Sequence, residues 1–310
     1  MVFAEDYLRD PSVFPLTSEG APWGGRSVTI DFSGGPYIFE CLDESQENTI
    51  RSRFVGFCLD SDQQPSEVLP TTVLNFDPTA FKAVDFSTRD YTFDRLYLKN
   101  EVLLAGLNFI ARITRTPGLS ASLWTSANRK DDFPFIFENV FRVLVAYRLL
   151  ELGGTILHSA CAAYEGHAYL MLGNSGAGKS TFSGMALAAG WEVLSDDMNA
   201  VRLEDGQWVV EKLPFAGDLG QTPCRSNRYP LAGIFRLNKS DHNRLSPWSR
   251  GQAVAKALGC SPVVNDDPHR TKPLLDALER MAGSVPTCQL EFSLDGGALK
   301  MLPEVLDHND

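Results

Sequence analysis

The sequence predicts an α/β protein (α+β overall), with a smaller β-rich N-terminal domain over 1–132 and an α/β domain over 133–310. Three observations predict this. The 310 residues make about two domains at roughly 150 residues each. The first part is a run of short apolar segments separated by turn residues. The second part alternates strand-like and helix-like segments around one glycine-rich turn, GNSGAGKST (173–181).

In the first part, SVTIDF (27–32) and YIFECL (37–42) read as strands flanking the turn Ser33-Gly34-Gly35-Pro36. RFVGFCL (53–59) and YTFDRLYL (91–98) continue the strand pattern, and the polar, proline-containing 60–70 reads as a loop. LLAGLNFIARI (103–113) is apolar enough for strand or helix, and its periodicity does not choose. SANRKDD (126–132) reads as a linker, and no catalytic motif precedes it.

FENVFRVLVAYRLLELGG (137–154) reads as a largely buried helix ended by Gly153-Gly154, with Glu138, Arg142, Arg148 and Glu151 near one side. TILHSACAAY (155–164), a turn at Glu165-Gly166-His167, and AYLML (168–172) form a strand pair leading into the glycine-rich turn. STFSGMALAA (180–189) is helical in composition, with Gly190 as its C-cap, and WEVLS (191–195) is a strand ending at Asp196-Asp197. NAVRLE (199–204) and QWVVEK (207–212) flank Asp205-Gly206, a hairpin signal. Strand-like LAGIFRL (231–237) and CQLEFSL (288–294) follow, with helical stretches near 251–258 and 272–282.

Composition excludes several classes. Lys and Arg number 28 against 39 Asp and Glu, a formal net charge of −11, which repels a phosphate backbone and argues against nucleic-acid binding. No apolar run approaches the roughly 18–20 residues that span a bilayer. MVFAEDYLRD lacks the pattern of a signal peptide. The six cysteines (Cys41, Cys58, Cys161, Cys224, Cys260, Cys288) form no CxxC pair or zinc-like cluster, so a cytoplasmic protein without a membrane partner is expected.

Gly173-Asn174-Ser175-Gly176-Ala177-Gly178-Lys179-Ser180 fits GxxxxGK[ST], the Walker A phosphate cradle, with Thr181 following. Phosphate oxygens must be met by converging backbone N–H groups, and glycines at 173, 176 and 178 keep side chains out of that path. The helix that begins there adds its positive dipole end. Lys179 supplies charge for the β- and γ-phosphates, and the Ser180 hydroxyl is placed to ligate Mg²⁺. A glycine-rich surface turn is the plain alternative.

The Asp pair ends the next strand. Two adjacent carboxylates would crowd a triphosphate unless metal or proton chemistry used them. One can hold Mg²⁺ and the other can accept a hydroxyl proton, although aspartates also cap turns. His158, in an apolar run next to the cradle strand, reads as a core residue or a site residue.

The segment LHSACAAYEGHAYLMLGNSGAGKSTFSGMALAAGWEVLSDD (157–197) resembles the kinase domain of HPr kinase/phosphorylase and its relatives over about 40 residues. A histidine strand, a hairpin, a cradle of the form GxSGxGKS, a glycine-ended helix and a strand ending in Asp-Asp come in the family's order. The resemblance implies a P-loop kinase fold like the C-terminal half of phosphoenolpyruvate carboxykinase, with ATP and Mg²⁺ as cofactors. It implies Asp197 as catalytic base toward a serine hydroxyl, Asp196 near the metal, and His158 beside the phosphates. LPFAGDLGQTPCRSNRYPLAGIFRLN (213–238) resembles a segment of HPr-kinase-related proteins found near peptide-modification genes, in which Arg225 or Arg228 would add a phosphate contact.

The glycine-rich signature segment that typical members carry after the Asp pair has no match here, and the first 130 residues do not resemble the usual N-terminal domain. The expectation is therefore a serine kinase for a protein or peptide, including a ribosomally made precursor, rather than for HPr. A small-molecule kinase and a non-catalytic ATP-binding regulatory protein stay open, as does a homo-oligomer.

Overall fold

The computed structural model describes residues 3–15, 20–59, 70–77, 81–82, 84–85, 93–125, 132–215 and 217–305. The chain divides into two compact units, Met1–Arg148 and Leu149–Asp310. The loop expected at 60–70 lies outside the described residues except for Pro70, and the linker expected at 126–132 does so except for Asp132.

The first unit is built on one sheet. In chain order its elements are β1 (Ala21–Pro22), β2 (Arg26–Ile30), β3 (Tyr37–Leu42), α1 (Glu44–Arg53), β4 (Thr71–Phe76), β5 (Phe93–Tyr97), β6 (Glu101–Gly106), β7 (Phe109–Thr114) and β8 (Ser120–Thr125), followed by α2 (Phe133–Glu151). The strand order is β2-β3-β4-β8-β7-β6-β5, with β1 on β4. The ambiguous segment 103–113 is a hairpin whose turn residue Asn108 sits at φ 64°, a conformation Asn tolerates. Nearly every residue of β6 and β7 is buried, so no alternation was there to read.

RFVGFCL (53–59) is not a strand. It is the exit of α1, with a turn at 54–57 and a single bridge from Cys58 to Ile30. The start of α1 is fixed by a capping box: the Asp43 carboxylate accepts the Gln46 N–H at 2.8 Å, and the Gln46 side chain accepts the Asp43 N–H at 3.0 Å. Phe54 then drops into the core against Phe137 and Phe141 of α2. The division between the two units falls within α2. That helix ends as expected at Gly153, φ 75°, whose N–H donates to the Leu150 carbonyl at 3.0 Å.

The second unit contains β9 (Thr155–Tyr164), β10 (His167–Leu172), α3 (Lys179–Ala188), β11 (Glu192–Ser195), β12 (Met198–Glu204), β13 (Gln207–Lys212), β14 (Arg228–Lys239), β15 (Arg244–Pro247), α4 (Arg250–Gly259), α5 (Thr271–Ser284), β16 (Thr287–Phe292) and α6 (Gly297–Met301). The sheet order is β10-β9-β12-β13-β14-β16-β15. β11 pairs with β9, and β14 also runs parallel to β10. With a multistranded sheet in each unit, the molecule is mixed α/β, in line with an α+β fold.

One strand organises the site. β10 pairs antiparallel with β9 and ends where Leu172 faces Ser159. β11 and β12 share the opposite edge of β9, and Met198 faces His158. The turn after β10 and the turn between β11 and β12 therefore emerge on either side of His158-Ser159. α3 is seated by Phe182, fully buried and edge-on to Phe292 at 5.6 Å. Burying a side chain of that size stabilises by about 1.5–3 kcal/mol, enough to fix where the helix begins.

Candidate active site

The loop between β10 and α3 keeps its shape through glycine. Gly176 and Gly178 have φ of 79° and 104°. A Cβ on Gly178 would also lie 2.7 Å from Phe292 Cζ, so both the backbone and the space exclude a side chain there. Lys179, only 8% exposed, folds back so that Nζ donates to the Gly173 carbonyl at 3.2 Å. The Ser180 hydroxyl donates to Asp218 Oδ2 at 3.3 Å.

The Asp pair sits in a turn tied by Ser195. Its hydroxyl accepts the N–H groups of Asp197 at 3.1 Å and Met198 at 3.2 Å. The Asp197 carbonyl accepts the Ser159 N–H at 2.9 Å, anchoring the turn to β9. Asp197 Oδ1 then lies 3.4 Å from His158 Nε2. Asp196 is 4% exposed. Its Oδ1 accepts the Leu219 N–H at 3.4 Å, and its buried Oδ2 has no hydrogen-bond partner.

These groups meet in one cavity of about 250 Å³, lined by His158, the loop residues Ser175, Gly176, Gly178, Lys179, Ser180 and Thr181, Asp196, Asp197, Asp218 and Lys239. Gly173, Asn174 and Ala177 face a neighbouring hollow with Arg236, Lys239 and Lys256, where the Asn174 side-chain oxygen accepts from the Lys256 amine. Arg225 and Arg228 line neither space. Arg225 pairs with Glu192 at 3.6 Å and Arg228 with Glu204 at 2.9 Å. Asp218, Lys239 and Lys256 were not singled out from the sequence. Asp218 lies within the 213–238 segment, which carries a resemblance but no strict motif.

The residues present fit Mg²⁺. Among the described residues no three His, Cys, Asp or Glu side chains form a ready-made metal cage. Mg²⁺ is usually held by one or two carboxylates together with phosphate oxygens and water, so such a cage is not needed. The unpartnered buried oxygen of Asp196 and the Ser180 hydroxyl are the groups such an ion would satisfy.

Burial lowers the His158 pKa, the Lys179 charge lowers it further, Asp197 opposes the shift, and Lys256 adds to it. The imidazole therefore takes up a proton less readily in the folded chain than in the unfolded one. Below about 6.5 the unfolded chain takes up this proton first, so the stability contributed is present above that pH and lost as pH falls toward the lowered folded value. The His158→Gln protein is expected to show a flatter fall of its unfolding midpoint between pH 7 and 5. Parallel curves for variant and wild type would refute this.

Gly217 makes the closest approach in the site. A Cβ there would lie 2.4 Å from Asp196 Oδ1 and 2.8 Å from Asp197 Cβ. Gly217→Ala must push the turn off the Asp pair, at a cost of about 1–3 kcal/mol typical of overpacking. Chemical denaturation should show that loss, and wild-type stability would place the turn elsewhere.

The family model described as "SynChlorMet cassette protein ScmC" matches residues 126–307. A search of curated proteins finds no match. Among solved structures, the HPr(Ser) kinase/phosphatase from Coxiella burnetii aligns with 16% identity and a TM-score of 0.29, covering 50% of this chain and 88% of that one.

Proposed function

The chain belongs to the ScmC family of SynChlorMet cassette proteins, and from its site we propose that it is a Mg–ATP-dependent kinase that phosphorylates a serine hydroxyl of a protein or peptide. The observation that carries this reading is the shared cavity. A GxxxxGKS loop and a carboxylate 3.4 Å from a histidine face the same space. A loop built only for nucleotide binding does not need Asp197 there.

In this reading the glycine-lined N–H groups and the α3 N-terminus receive the phosphates, and Lys179 exchanges its bond to the Gly173 carbonyl for the β- and γ-oxygens. Mg²⁺, when bound through Ser180 and Asp196, would supply charge neutralisation of the polyphosphate. Asp197 accepts the proton of the incoming hydroxyl as its oxygen bonds to the γ-phosphorus and the bond to the β–γ bridging oxygen breaks, with ADP leaving. His158 holds the Asp197 carboxylate in place. Most of the acceleration comes from positioning and fixed charge.

The resemblance of 213–238 to a segment of HPr-kinase-related proteins found near peptide-modification genes favours a ribosomally made peptide as acceptor over a metabolite. The test is transfer of labelled γ-phosphate from Mg–ATP to a serine-containing peptide library. Labelled peptide is the expected result. No label in any peptide, with ATP binding measured alongside, would overturn the peptide acceptor.

A further inference from the structure

We infer that Asp218, carried on the turn Gly217–Gly220, is a ligand of the divalent cation, and that Asp196 and Asp218 hold the ion between two separate chain segments. The inference rests on the nucleotide-binding reading above and extends it to a residue that no motif assigns.

The turn is closed by a bridge between Gly217 and Gly220. It approaches the Asp pair so closely that position 217 has no room for a Cβ. Its Leu219 N–H occupies one oxygen of Asp196, a residue that lines the cavity, and leaves Oδ2 buried and unpartnered. Burying an ionised carboxylate oxygen without a partner is costly, so this atom points to a ligand. Asp218 lines the same cavity, 3.3 Å from the Ser180 hydroxyl. In a P-loop site that hydroxyl is a cation ligand, and a second oxygen beside it completes part of an octahedron.

The charge balance agrees. Three carboxylates line this cavity against two lysines, which repels a polyphosphate unless a cation accompanies it. The ion would join the cradle, the Asp pair and the 217–220 turn, three segments distant in sequence.

The test is a Mn²⁺ titration followed by electron paramagnetic resonance, with a non-hydrolysable ATP analogue present. It compares wild type, Asp218→Asn and Asp205→Asn at the tip of the β12–β13 hairpin. Asp218→Asn should weaken Mn²⁺ binding about tenfold or more, and Asp205→Asn should match wild type. In EDTA, Asp218→Asn should bind the analogue at least as well as wild type, since a negative charge has gone. If that variant does not fold, Asp218→Ser carries the same comparison. Wild-type Mn²⁺ affinity in the folded variant overturns the assignment of Asp218 and leaves the kinase reading intact. A wild-type protein that binds no analogue, with or without Mn²⁺, overturns both.

Discussion

The Asp197→Asn protein is expected to bind Mg–ATP with near wild-type affinity and to phosphorylate a serine peptide about 10²–10⁴-fold more slowly, the usual contribution of a positioned general base. The substitution is nearly isosteric. The amide it introduces can take the place of the carboxylate beside His158, whose Nε2 lies 3.4 Å from Asp197 Oδ1 in the native protein. The Ser195 bracket and the bond from the Ser159 N–H involve only the backbone at 197, so the turn keeps its shape. What disappears is the carboxylate that takes the proton. Single-turnover transfer of labelled γ-phosphate, run beside calorimetric ATP binding, separates the two effects. Transfer at the wild-type rate removes Asp197 from the mechanism. Loss of ATP binding together with transfer would make it a binding residue instead.

The site was legible in sequence where chemistry is local. The spacing GxxxxGKS predicts a glycine-shaped loop because its geometry is set by consecutive backbone units, and the described loop has positive φ at two of its three glycines. The Asp205-Gly206 hairpin was equally readable, since φ of 49° and 84° at its two turn residues is what that dipeptide allows. The meeting of Asp197 with His158 is less local. It depends on β11 and β12 sharing one edge of β9 and on the register Met198 to His158.

Asp218 was out of reach, because its place beside Ser180 is made by a tertiary turn 38 residues away along the chain. Arg225 and Arg228 were singled out for their chemistry. Glu192 and Glu204 compete for them, and that pairing arises only when the strands assemble. In the first unit, α1 escaped notice because only Gln46 and Ile50 of its residues are buried, too few for a helical period. Its capping box, Asp43 with Gln46, was the signal that could have found it.

Lys179→Ala is expected to weaken ATP binding by about 10–100-fold, the worth of one or two charge-assisted hydrogen bonds to phosphate. Lys179 is 8% exposed and its amine donates to the Gly173 carbonyl, 3.2 Å away, and among the described residues no acidic partner competes with an incoming phosphate. Removing it leaves Lys239 facing three carboxylates, and the cavity then repels a polyanion more strongly. Lys179→Arg should not rescue binding, because a planar guanidinium fork presents the wrong geometry to a loop shaped for a single ammonium. Calorimetry on both variants, with thermal unfolding to show that each is folded, decides the matter. Equal ATP affinity in a folded Lys179→Ala protein would mean that the loop does not hold phosphate, and Asp197 would then have nothing to act upon. The two substitutions thus divide the proposal at its joint, with affinity read at 179 and chemistry read at 197.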